Sequence, residues 1–169
     1  MNVRSQEWMI AAGLTVILII AGIAYGNARA ELPKKGYLTL ETAQKIAAVA
    51  AKKCRDDGYS VTVTVVDREG VTLVQLRNEM AGPHTLNSSY KKAFTAASLG
   101  RSTGDLTNMV KDKPELFGLR NMDDRIIILG GGLPVMLENE LVGGIGVGGA
   151  PGGNLDEACA KFGLDNFSK

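Results

Sequence analysis

Residues 60–77 read SVTVTVVDREGVTLVQLR, and their patterning decides the fold class. Over residues 60–67 valine alternates with threonine, the two-residue period of a half-buried strand. Asp67-Arg68-Glu69-Gly70 reads as a turn. Residues 71–77 read as a second strand, so the whole stretch is expected to form an antiparallel hairpin.

Upstream of the hairpin, Thr39 is placed to cap a helix. Leu40, Ala43, Ala47, Ala50 and Cys54 follow at spacings of three and four, one helical face. Gly58 is a natural stop. Downstream, Gly82-Pro83 breaks the strand pattern, and Thr85 is placed to cap a helix carrying Leu86, Tyr90, Ala93 and Ala97 along one side. Gly100 ends it. A shorter helix is expected from Asp105 to Lys111, before Pro114. Residues 125–129 (RIIIL) read as a third strand. Gly130-Gly131-Gly132 turns into a fourth, Leu133–Leu137, and Glu138-Asn139 turns into a fifth, Glu140–Val147. Asn154 and Glu157 have capping-box spacing for a last helix through about Leu164. Both strand groups have short connections, which favour antiparallel pairing. The expected fold is therefore α/β of the α+β kind: an antiparallel five-stranded sheet with packed helices, over residues 38–169.

The composition agrees with one folded domain. The chain has 169 residues, 45% apolar and 22% charged, with aromatics at 5% and 21 glycines. The N-terminus has three parts. Residues 1–8 are polar with one Arg, residues 9–24 (MIAAGLTVILIIAGIA) are uncharged, and residues 28–30 read Ala-Arg-Ala. This is the pattern of an export signal, with small residues where a signal peptidase reads. The apolar run is shorter than the ~20 residues of a full membrane span. Residues 1–30 are thus expected to be cleaved, or kept as an anchor, and the domain to be periplasmic or secreted. Residues 31–37 are a polar lead-in. Beyond residue 30 the chain has 17 basic and 17 acidic side chains. That neutrality argues against a nucleic-acid partner.

Few motifs carry chemistry. Gly144, Gly146 and Gly149 match G-x-G-x-x-G, but they lie in or just after a late strand rather than at the start of a βαβ unit. Seven glycines crowd into residues 143–153. They read instead as close backbone approach, to a helix, another subunit or a flat ligand. Cys54 and Cys159 fall in no Cys-x-x-Cys or haem-attachment motif. They are either a disulfide, which export permits, or two small buried thiols. Ser88-Ser89 has no nucleophile-elbow surroundings. Asp156-Glu157 suits a helix start, and Asp123-Asp124 a strand entrance. His84 is the sole histidine, which excludes a multi-histidine zinc site and a Ser-His-Asp triad with a spare base. It follows Gly82-Pro83, where proline stiffens the approach, and precedes a helix start, and an imidazole is a common iron ligand.

Three blocks together resemble the GlcG/HbpS-like family of haem-binding proteins. The first is LTLETAQKIA (38–47) with VTVVDREG (63–70). The second runs from Arg77 to Thr103, with Ala81-Gly82-Pro83-His84-Thr85 and Lys92-Ala93-Phe94-Thr95-Ala96 at its centre. The third is GGGLP (130–134), VGGIGVGGA (142–150) and Asp156-Glu157-Ala158-Cys159-Ala160. The resemblance implies a profilin-like fold, homo-oligomers and non-covalent, b-type haem. Some members are exported and act with membrane sensor proteins; others are encoded near glycolate-oxidation enzymes. The family varies in its iron ligand.

Haem needs an axial ligand, apolar walls and cations for its propionates. His84 is the candidate ligand of the haem iron. Met80, Phe94, Met109 and Phe117 are candidate walls, and Arg77, Lys91 and Lys92 candidate propionate partners. The expectation is an exported haem carrier, store or redox-sensing accessory. Competing readings are a haem-dependent or 2-hydroxy-acid-related enzyme and an oligomeric interaction module without a cofactor.

Overall fold

The structure, a computed structural model, describes residues 34–168. The expected export signal, residues 1–30, lies outside the described residues. From Gly36 onward the chain forms one compact unit. Its elements are α1 (Leu40–Asp56), β1 (Thr62–Asp67), β2 (Thr72–Arg77), α2 (His84–Leu99), α3 (Thr103–Asp112), a 3-10 helix (Pro114–Asn121), β3 (Gly132–Leu137), β4 (Glu140–Gly148) and α4 (Gly153–Asn166).

The strands form a four-stranded antiparallel sheet in the order β2-β1-β4-β3. The first hairpin is as expected. Asp67 Oδ1 accepts the amides of Glu69 and Val71 at 3.0 and 2.9 Å, and Gly70 takes the positive φ of 80° that closes the turn. The β3–β4 hairpin turns on Glu138 and Asn139, both with positive φ, the backbone a two-residue hairpin loop demands.

α1 and α4 cover one face of the sheet and α2 covers the other. On the α1/α4 face, Val63, Val65, Ile145 and Val147 pack with Ile46, Ala47, Ala50 and Ala160 in the main core. Thr39 caps α1 as expected, its side chain accepting the Thr42 amide. Cys54 and Cys159, both fully buried, form a disulfide joining α1 to α4, with Cα atoms 5.5 Å apart.

The α2 face is built differently. The threonines of β1 do not face solvent as the half-buried reading expected. Thr62 and Thr64 are buried, and their hydroxyls bond those of Thr85 and Ser89 on α2 at 2.6 and 2.7 Å. Burial of these polar groups is tolerated because each finds a partner. Beside them, the glycines of β4 let α2 lie almost on the strand. A methyl group on Gly144 would fall 2.2 Å from the Ala93 carbonyl oxygen, and one on Gly146 2.1 Å from that of Ser89. The glycine run thus serves helix-to-sheet contact.

Three local expectations are corrected. Residues 125–129 form no strand, which leaves four strands rather than five. The Ile127 amide donates to Thr95 Oγ1 at 2.9 Å and the Ile126 amide to the Asp123 carbonyl at 3.0 Å. This apolar run therefore packs against α2 instead of joining a ladder. Thr85 does not cap α2, which starts at His84; its hydroxyl bonds Thr62 and the Gly82 carbonyl. Asn154 and Glu157 form no capping box on α4. Glu157 reaches instead to the start of α3, where it accepts from Ser102 Oγ at 2.8 Å and the Gly104 amide at 3.2 Å.

Candidate functional site

The loop from β2 to α2 gathers three of the sequence-predicted residues. Arg77 ends β2, Met80 lies in the loop, and His84 opens α2. The loop is held by its own polar groups. Asn78 Oδ1 accepts the Met80 amide at 2.8 Å, and the Asn78 amide bonds the Val61 carbonyl at 3.0 Å. The Arg77 guanidinium donates to the carbonyls of Glu79 and Ala81. Arg77 is thus partly spent on shaping the loop.

His84 is exposed. Its imidazole folds back over Gly82: a methyl group there would lie 2.6 Å from Cε1 and 2.8 Å from Nδ1. Glycine at position 82 is therefore what lets the ring occupy this place. Met80 is 78% exposed, so a thioether and an imidazole both face solvent from one short loop. Lys91 is half-buried. It follows His84 by seven residues, two turns, which puts both on one stripe of α2.

Two other candidates belong to the interior. Lys92 is only 2% exposed. Its Nζ lies 2.7 Å from Asp156 Oδ2 on α4 and 2.9 Å from the Val147 carbonyl oxygen. Burial pushes the Asp156 carboxyl above its ordinary value, opposed by Lys92 and by the amides of Ala150 and Gly149. The expectation that Lys92 offers a surface cation is corrected: its charge is committed to Asp156. Phe94 is buried, and its ring sits where a methyl on Gly70 would fall 2.5 Å away. Its other neighbours are Tyr90, with ring centres 6.2 Å apart, and the Arg125 guanidinium, 4.0 Å from the ring centre. Phe94 therefore packs beneath the β1–β2 turn rather than beside His84. Met109, half-buried, and Phe117, exposed, lie on α3 and the 3-10 helix, in another part of the fold.

Sequence reasoning missed the Lys92–Asp156 pair. The signal was present in the buried stripe of α2. Thr85, Ser89, Lys92, Ala93 and Ala96 recur at helical spacing, and a lysine on such a stripe needs a buried anion.

Comparison with known proteins places the chain in one family. A family model described as haem degrading protein HbpS-like matches residues 38–165. An uncharacterised 15.0 kDa protein of Citrobacter freundii is 35% identical over 133 residues, spanning 78% of this chain and 93% of that one. Protein GlcG of Escherichia coli is 29% identical over 113 residues, spanning 67% and 82%. Among solved structures, a double mutant of HbpS from Streptomyces reticuli is 42% identical over 80% of this chain and 90% of that one, with TM-score 0.74. A PduOC–heme complex is 24% identical over 77% and 94%, with TM-score 0.71, and shows the fold alone. The chain belongs to the HbpS-like family.

Proposed function

We propose that this protein binds haem at the β2–α2 loop, with His84 as the iron ligand, and acts outside the cytoplasm as a haem carrier, store or redox-sensing accessory. The observation that carries this reading is the exposed sole histidine at the head of α2, on a loop whose shape Arg77 holds. Membership of a family described as haem degrading, and the solved PduOC–heme complex on the same fold, support it.

The residues fit a haem held at the surface rather than one sealed in a slot. Gly82 leaves room for the imidazole, Met80 is available as an apolar flank, and Lys91 shares the His84 stripe for a propionate. Lys92 and Phe94 are left out of this site for the packing reasons given above. When bound, haem would supply iron redox chemistry; the chain's own part is to ligate, orient and neutralise.

Export is supported by two independent features. Residues 1–30 have the signal pattern, and the Cys54–Cys159 disulfide is a bond that persists in oxidising compartments. Within this reading the protein partners haem, further copies of itself and a membrane sensor protein.

Haem titration followed by Soret absorbance tests the ligand. His84→Ala is expected to shift the Soret band and weaken binding; an unchanged spectrum would reject His84. Cell fractionation with N-terminal sequencing tests export, and a cytoplasmic protein that retains residue 1 would reject it.

A further inference from the structure

We infer that the cleft between α1 and the edge strand β2 binds a free α-amino acid with an apolar side chain. Short side chains open this cleft. Ala48 and Ala51 stand three residues apart on α1, on a stripe that continues to Arg55. With Val61 and Leu76 they line a cavity of 310 Å³. That volume is at the small end of the range for ligand sites, which suits one small molecule rather than a peptide. Val61 is buried and Leu76 exposed, so the apolar lining runs from the core out to solvent and offers a seat for an apolar side chain.

The charges around the cavity select the rest of the ligand. Its charged lining residues are Arg55, Arg77 and Glu79. Among the described residues, neither the Arg55 guanidinium nor the Glu79 carboxylate has a hydrogen-bond or ion-pair partner, so both are available. Arg77 adds positive charge while it also donates to the carbonyls of Glu79 and Ala81. A guanidinium binds a carboxylate through paired N–H donors, and Glu79 answers an ammonium. An amine without a carboxylate meets two cations and one anion. A carboxylic acid without an amine leaves Glu79 unanswered beside it. A zwitterion with an apolar side chain uses the guanidinium groups, the carboxylate and the apolar lining together.

The cleft is not the His84 site seen from another side. Leu76 pairs with Val63 across the first hairpin, and directly paired residues of antiparallel strands share a face. Val63 belongs to the core beneath α1 and α4, whereas His84 opens α2, which covers the opposite face. The two places meet only through the chain between them. Arg77, Asn78 and Glu79 line the cleft, and the Asn78 amide is tied to the Val61 carbonyl at 3.0 Å. A molecule seated in the cleft is thus held without the imidazole.

Calorimetric titration of the full chain with L-valine, L-leucine and L-phenylalanine tests the site. At least one is expected to bind, at one molecule per chain. For the tightest of them, the matching acid without the amino group and the matching amine without the carboxylate are each expected to bind about tenfold more weakly or worse. Arg55→Gln is expected to weaken the amino acid about tenfold or more, Glu79→Gln to remove the preference over the matching acid, and His84→Ala to change nothing. Arg55 and Glu79 are exposed, so these variants keep the fold, which circular dichroism checks; the ligand series needs the wild-type chain alone. Four results would each overturn the site: no binding of any of the three, equal binding of the amine, wild-type affinity in Arg55→Gln, or loss of binding in His84→Ala. A change of oligomeric state in Leu76→Ser without ligand would overturn it too, by showing that a second copy covers the cleft. Iron ligation by His84 is read separately, from the Soret band, so failure of one site is distinguishable from failure of the other.

Discussion

Lys92 Nζ and Asp156 Oδ2 are 2.7 Å apart in the interior, linking α2 to α4 past the end of the sheet. Gly131, with φ of 117°, leaves the space: a methyl there would lie 2.9 Å from the Lys92 ammonium and 2.7 Å from Asp156 Cβ. The second carboxylate oxygen of Asp156 accepts the Ala150 amide at 3.0 Å. The pair therefore also fixes the glycine-rich connection from β4 into α4.

Breaking this pair from one side leaves a buried charge alone. Lys92→Met or Asp156→Leu is expected to cost about 3–5 kcal/mol, whereas the double variant recovers most of that loss. Urea denaturation of both singles and the double closes the cycle. Additive losses in the double variant would mean that the two charges are not coupled.

The disulfide closes a long loop, since Cys54 and Cys159 are 105 residues apart. Cys54→Ser with Cys159→Ser is expected to destabilise the fold by roughly 2–5 kcal/mol. Both sulfurs are buried, so the native protein should resist mild reductant and react only once unfolded. Thiol counting with and without denaturant checks this.

Steric contact at the α2 seam gives a sharp contrast between glycines. Gly146→Ala puts a methyl 2.1 Å from the Ser89 carbonyl oxygen and is expected to cost about 1–3 kcal/mol or more, because backbone must move on both sides. At Gly118 the same methyl meets nothing within 4 Å, so Gly118→Ala is expected to be neutral or slightly stabilising. Equal thermal midpoints for the two variants would contradict the seam.

Asp123 sets a pH response. The Arg125 side chain, which bonds both its carboxylate oxygens, and the Arg125 amide hold its carboxyl at about 2, below the ordinary 3.8. The folded state then binds fewer protons than the unfolded state. The stabilisation is present above pH 3.8 and is lost as pH falls through about 2. Arg125→Leu is expected to return Asp123 toward its ordinary value in a carboxyl NMR titration and to flatten the stability slope in that window.

The readable part of the fold was the part set by local rules. The 60–77 hairpin, the Ala43, Ala47, Ala50 and Cys54 face of α1 and the stop at Gly100 follow from alternation, helical spacing and a left-handed glycine, each decided within a few residues, whereas Leu40, read on the same face, is exposed. Residues 125–129 were misread because an apolar run looks the same whether it enters a sheet or packs over a helix, and Thr95 decides between them from thirty residues away. The site divided along the same line. Arg77, Met80 and His84 are sequence neighbours and come together. Lys92 and Phe94 went inside because the phase of α2 is set by the glycines of β4, more than fifty residues downstream.

That glycine seam also sets where this protein is free to vary. On the inner side of α2 not even a methyl can be added at Gly144 or Gly146, so the helix has no room to slide or roll when something docks at its head. His84 opens a helix seated directly against the β4 backbone. Under the proposed role, adjustment to a ligand falls to residues 78–83, and changes that retune binding fall to exposed positions of α2 such as Leu86 and Asn87.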